Sequence, residues 1–126
     1  MLFKWILVLW VALLGSVAWA GDGQLEINQT CATQTGCFPG DAPGFPVTLV
    51  TTSSYRLTSN LFTGGETAIF VVAGLKIVTI DLGGFRLDGQ GTGQGGGIIG
   101  GAGTSAIVIR NGTINAFRGD GIRVGG

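Results

Sequence analysis

The feature that most constrains this chain is a repeat. Ile77-Val78-Thr79-Ile80-Asp81-Leu82 lies over Ala106-Ile107-Val108-Ile109-Arg110-Asn111, with one residue deleted just after, so Ile80 and Ile109 stand 29 positions apart. Upstream, Ile69 and Ile98 keep the same interval of 29, and a further copy begins at Asp120-Gly121-Ile122, 24 positions on. The repeated pieces are short, β-branched and separated by Gly, Asn or Asp, which is how strands and turns are written. A period of roughly 20 to 50 residues marks a solenoid, in which each repeat is one turn that buries its apolar side against its neighbours.

Alternation within the strands says which side is buried. Val78, Ile80 and Leu82 share one face and Thr79 and Asp81 the other; Ile107 and Ile109 share a face opposite Val108 and Arg110. Stacked repeats therefore put Ile80 under Ile109 in an aliphatic column, each strand pairing in parallel with its equivalent in the next turn. Gly83-Gly84 and Asn111-Gly112 fall where the chain must bend sharply. The fold predicted is all-β, a parallel β-helix of about three coils over residues 47–126. A β-sandwich is the main competitor, but it does not require in-register copies at this interval.

Ahead of the repeats, residues 1–20 read as a signal peptide. Lys4 supplies the positive n-region, Trp5 to Leu14 the apolar run, and Ala18-Trp19-Ala20 the small residues before a cut at Gly21. Ten apolar residues fall well short of the roughly 20 that span a bilayer core, so no membrane span is expected after cleavage. The predicted location is secreted, periplasmic or cell surface. The mature part then carries six cationic against seven acidic residues, which gives no basis for a nucleic-acid partner. Residues 21–46, with Pro39, Pro43 and Pro46, read as a lead-in cap and not as strands. Cys31 and Cys37 are the only cysteines. In an exported chain this pair is expected to form a disulfide around a small loop, and with no His in the chain it makes a poor metal site.

Several of these segments resemble a known group. Leu25-Glu26-Ile27-Asn28-Gln29-Thr30-Cys31, Gly36-Cys37-Phe38, Gly40-Asp41 and Gly44-Phe45-Pro46-Val47-Thr48 are similar to an N-terminal motif of bacterial secreted proteins with right-handed β-helix repeats, of the pectate-lyase-like superfamily. Tyr55 to Leu61, Val78 to Leu82 and Arg110 to Thr113 look like that family's first coils. The departure is Gly83, where relatives commonly carry Asn. The resemblance implies a right-handed β-helix and a family that includes polysaccharide lyases and hydrolases beside members with no known activity. Catalytic sites in that family lie on the outer face of one sheet, usually on later coils.

Lyase chemistry of that kind needs acids converging on Ca²⁺ and a nearby base, and Ca²⁺ takes six to eight oxygen ligands. The acidic candidates are Asp81, Asp88 and Asp120, with Arg86, Arg110 and Arg118 as bases. Asp81 and Arg110 occupy equivalent positions of successive coils, so an inter-coil ion pair is the simpler account. Gly119-Asp120-Gly121 reads as a turn and lacks the second acid of a hydrolase pair. The glycines of 89–97 lack the Gly-Lys-Ser/Thr ending of a phosphate loop and read as a surface loop between coils. Asn28-Gln29-Thr30 and Asn111-Gly112-Thr113 match the glycosylation sequon by letter, which is incidental if the source is bacterial, as the resemblance implies, and Asn111 is better read as a corner residue.

No catalytic set is thus expected within the chain, and no cofactor beyond the Ca²⁺ that the resemblance allows. The residues mark an exported scaffold whose polar surface, including Asp81, Asp88, Arg110 and Asp120, meets a polysaccharide or cell-surface component. The alternative is the N-terminal part of a polysaccharide lyase or hydrolase whose site follows residue 126. The chain reaches Gly125-Gly126 in mid-coil without a capping element, so the coils are expected to be incomplete there and to self-associate through the open end.

Overall fold

Among the described residues, eleven short strands wind into a parallel β-solenoid of about four coils, each strand a run of apolar and β-branched residues closed by a turn. The computed structural model describes residues 23–125, and the signal peptide expected over 1–20 lies outside them. Sheet A stacks β1 (Gln24–Ile27), β3 (Ser54–Leu57), β6 (Ile77–Asp81) and β9 (Ala106–Arg110). Sheet B stacks β2 (Val47–Leu49), β5 (Ile69–Val71), β8 (Ile98–Gly100) and β11 (Ile122–Val124). Sheet C stacks β4 (Leu61–Phe62), β7 (Arg86–Asp88) and β10 (Thr113–Asn115). Each strand pairs in parallel with its counterpart one coil away.

The repeat read from the sequence is the register of the sheets. Ile80 pairs with Ile109, Ile69 with Ile98, and Ile98 with Ile122. Inward-facing side chains therefore form continuous columns, Leu25–Tyr55–Ile80–Ile109 in sheet A and Leu61–Leu87–Ile114 in sheet C. Tyr55, Ile80, Leu61 and Leu87 are fully buried, and each such aliphatic or aromatic residue contributes about 1.5–3 kcal/mol through its removal from water. Tyr55 keeps its hydroxyl satisfied by donating to the Thr51 carbonyl at 2.7 Å.

There is one coil more than the three predicted, because the cap segment contains a strand. Leu25-Glu26-Ile27 alternates like the later rungs, and β1 pairs in register with β3 over four residues. Where later coils place a strand of sheet C, this first coil has a single π-helical turn, Cys31–Thr35. The expected Cys31–Cys37 disulfide forms at that turn. Asp41, buried, ties the cap down: its two carboxylate oxygens accept the backbone N–H of Cys37 at 2.8 Å and of Thr48 at 2.9 Å. Phe38 of the cap packs on Tyr55, ring centres 5.3 Å apart.

The glycine tract also differs from the simple loop expected of it. Residues 91–94 are exposed, but Gly96 and Gly97 are buried. A Cβ on Gly97 would meet the Gly121 carbonyl of the next coil, and one on Gly95 the Glu66 and Thr67 backbone of the previous coil. At Gly95, Gly96 and Gly97 the backbones of neighbouring coils pass too close for a side chain, whereas Gly91 has open space around it and a positive φ of 69°.

Candidate functional site

The outward position nearest the end of each sheet A strand carries a charge, and its sign alternates from coil to coil. Glu26 pairs in register with Arg56, Arg56 with Asp81, and Asp81 with Arg110. The result is a ladder, Glu–Arg–Asp–Arg, one residue per coil, rising by the inter-strand spacing of about 4.8 Å. The first three members face outward because both sequence neighbours of each are inward residues of its rung, as in Leu25-Glu26-Ile27, Tyr55-Arg56-Leu57 and Ile80-Asp81-Leu82. Arg110 faces outward because it follows the inward Ile109.

Local hydrogen bonds hold the two acids ionised. The Thr58 hydroxyl donates to Glu26 Oε2 at 2.6 Å and the Asn28 amide to the same atom at 2.9 Å; together they hold the Glu26 carboxyl below its usual range. The Gly83 backbone N–H donates to Asp81 Oδ1 at 2.8 Å and is the main cause of a lowered Asp81 pKa. Partial burial opposes that shift, while the Asn111 amide and the Arg110 and Arg56 charges add to it. Arg110 Nε lies 3.5 Å from Asp81 Oδ2, which is the inter-coil pair that the repeat implies. Arg56, exposed, makes no ion pair within 4 Å among the described residues, although Glu26 and Asp81 are its register neighbours.

At the Glu26 end the ladder borders a groove of about 400 Å³. Gln24, Glu26, Arg56 and Thr58 line it with polar groups, and Leu25, Leu57 and the half-buried Phe85 with apolar ones. Donors, acceptors and an aromatic edge thus converge on one open trough. Its carboxylate is a poor general acid, since that role calls for a raised pKa and Glu26 is lowered. What the trough offers is recognition of hydroxyl-rich or charged groups.

The other sequence candidates lie elsewhere. Asp88 stands at the end of β7, 3.4 Å from Arg86 Nε, and accepts the Gln90 backbone N–H at 2.8 Å. Arg86 also lies over the Phe62 ring, 5.4 Å from its centre. Asp120 lies 3.7 Å from Arg123 Nε on the exposed approach to β11, beside a smaller hollow with Thr67, Gln94 and Ile99. Arg118 is exposed on the bend just before it. Asp81, Asp88 and Asp120 therefore occupy three separate places, each beside its own arginine. Among the described residues no three His, Cys, Asp or Glu side chains converge as a metal site, so the donor set does not fit Ca²⁺. No helix of the described residues is long and apolar enough to cross a membrane.

Sequence reasoning reaches Asp81 and Arg110 but misses Glu26 and Arg56. The signal is present as an apolar–charged–apolar triplet in each of the first three coils, but the segment holding Glu26 reads as a cap. The fold stands on its own geometry, for no family model, curated protein or solved structure matches this chain.

Proposed function

We propose that this chain is an exported β-solenoid scaffold that binds an extended polysaccharide along the outer face of sheet A. The observation that carries the reading is the charge ladder Glu26–Arg56–Asp81–Arg110 beside the Phe85 groove. Its rungs recur at about 4.8 Å, so an extended chain lying across the coils meets carboxylate acceptors and guanidinium donors in alternation. The trough's few placed polar groups, Gln24, Glu26, Arg56 and Thr58, can hydrogen-bond sugar hydroxyls while Phe85 offers an apolar edge. The N-terminal segment that reads as an export signal, and the resemblance of the first coils to pectate-lyase-like β-helices, support a glycan encountered outside the cytoplasm.

The test is calorimetric titration of the purified protein with a panel of soluble oligosaccharides, neutral and acidic, alongside Arg56→Ala and Glu26→Ala. The expected result is saturable binding of an oligosaccharide that either substitution weakens at least tenfold, about 1.4 kcal/mol. Binding that neither substitution changes, or no binding across the panel, overturns the reading.

A further inference from the structure

We infer that the outer face of sheet A is self-complementary and pairs with the same face of a second copy of this chain. The ladder reads Glu26, Arg56, Asp81, Arg110 from the first coil to the fourth. Read backwards, it places the opposite sign at every position. A two-fold axis parallel to the strands and lying in the contact plane reverses coil order while leaving each residue at the same point along its strand. Glu26 then faces Arg110 of the second copy and Arg56 faces Asp81, and the symmetry repeats both pairs. A two-fold axis along the solenoid keeps coil order and sets like against like, so the ladder selects one dimer geometry and repels the other.

Shape agrees with charge. Asp81 is short and its side chain only 10% exposed, in a hollow between the exposed Arg56 and Arg110. In the paired arrangement the exposed Arg56 of each copy faces that hollow. The next outward column has the small Ser54 and Thr79 at its centre, paired in register, and these face one another across the axis. They let the two faces approach closely.

The face is four strands wide and about five residues long, a footprint of roughly 300 Å² from standard strand spacings. Stable dimers bury about 800 Å² per partner, so this is a weak, concentration-dependent dimer. The inference goes beyond the glycan reading and does not depend on it. The two occupants share a face, so a bound oligosaccharide and a second copy exclude each other.

Sedimentation equilibrium without any glycan tests it, from about 1 μM to about 1 mM, the range in which weak interfaces dissociate. The expected result is a monomer–dimer equilibrium that shifts toward monomer as salt rises, because exposed charge pairing is screened. Arg56→Glu is expected to raise the dissociation constant at least about tenfold, through like-charge contacts formed twice by symmetry. The double variant Arg56→Glu/Asp81→Arg is expected to restore dimerisation, since its ladder of two acids then two arginines is again antisymmetric on reversal. Circular dichroism confirms that each variant is folded. A monomer at all concentrations overturns the inference, as does a dimer strengthened by salt, which indicates an apolar contact elsewhere. Failure of the double variant to recover overturns it too: if these charges act only within one molecule, Asp81→Arg sets a second cation beside Arg110 and makes matters worse.

Discussion

Asp81 and Arg110 are 29 residues apart in the chain and adjacent in space, with Arg110 Nε 3.5 Å from Asp81 Oδ2 across the β6–β9 step. The pair joins two features of the molecule. Its register follows from the packing of Ile80 on Ile109 one residue earlier, and its charges form the upper half of the outward ladder. Wherever the inward column is fixed, the outward one is fixed with it, because side chains alternate strictly along a strand.

The first prediction concerns pH. Glu26 and Asp81 have carboxyls lowered from ordinary values of 4.5 and 3.8 by the hydrogen bonds from Thr58 and from the Gly83 backbone. A depressed native pKa means the unfolded chain binds more protons in that range, so stability rises with pH there. The contribution is fully present above these ordinary values and is lost as pH falls through the lower native ones. Glu26→Gln and Asp81→Asn are expected to flatten the acid limb of stability against pH, read from urea midpoints between neutral and acid conditions. An unchanged slope in both counts against the hydrogen-bonded carboxylates.

A second prediction separates the two faces of β6. Ile80 is fully buried, whereas Ile77 is 56% exposed. Ile80→Ala is expected to destabilise by about 2–5 kcal/mol through lost burial and a cavity in the column. Ile77→Ala is expected to stay within about 0.5 kcal/mol. Denaturant midpoints at constant slope report both.

The corner after β6 gives a third. Gly83 and Gly84 both have positive φ, at 63° and 84°. A Cβ on Gly83 meets the Leu57 carbonyl of the previous coil, while one on Gly84 meets nothing within 4 Å. Both alanine substitutions carry the left-handed penalty of about 1–2 kcal/mol, and Gly83→Ala is expected to cost measurably more by thermal melting.

The cap gives a fourth. Opening the Cys31–Cys37 disulfide, by reductant or by Cys31→Ser/Cys37→Ser, is expected to cost about 2 kcal/mol, the low end for disulfides because the loop is short. For a domain of this size that lowers Tm by roughly 8–16 °C. Asp41→Ala removes the acceptor of two part-buried backbone N–H groups, of Cys37 and Thr48, and is expected to cost about 1–3 kcal/mol in all, because partial exposure lets water satisfy part of the lost bonding. Differential scanning calorimetry on the three proteins measures both effects.

By itself, the order of residues determined the winding and the register. Ile69, Ile80, Ile98 and Ile109 recur at one interval, and a period-2 alternation with glycine-rich bends admits few other folds. It also placed Asp81 against Arg110, since residues one period apart must stack. Tertiary structure alone decided the rest. Leu25-Glu26-Ile27 sits among the turn-rich, proline-containing residues that read as a cap, and its pairing with Ser54–Leu57 is what makes it a rung. That pairing sets Glu26 beside Arg56 and completes a ladder of four. The tight passage at Gly95–Gly97 is likewise a property of adjacent coils, because only three-dimensional stacking brings another backbone where a side chain would stand.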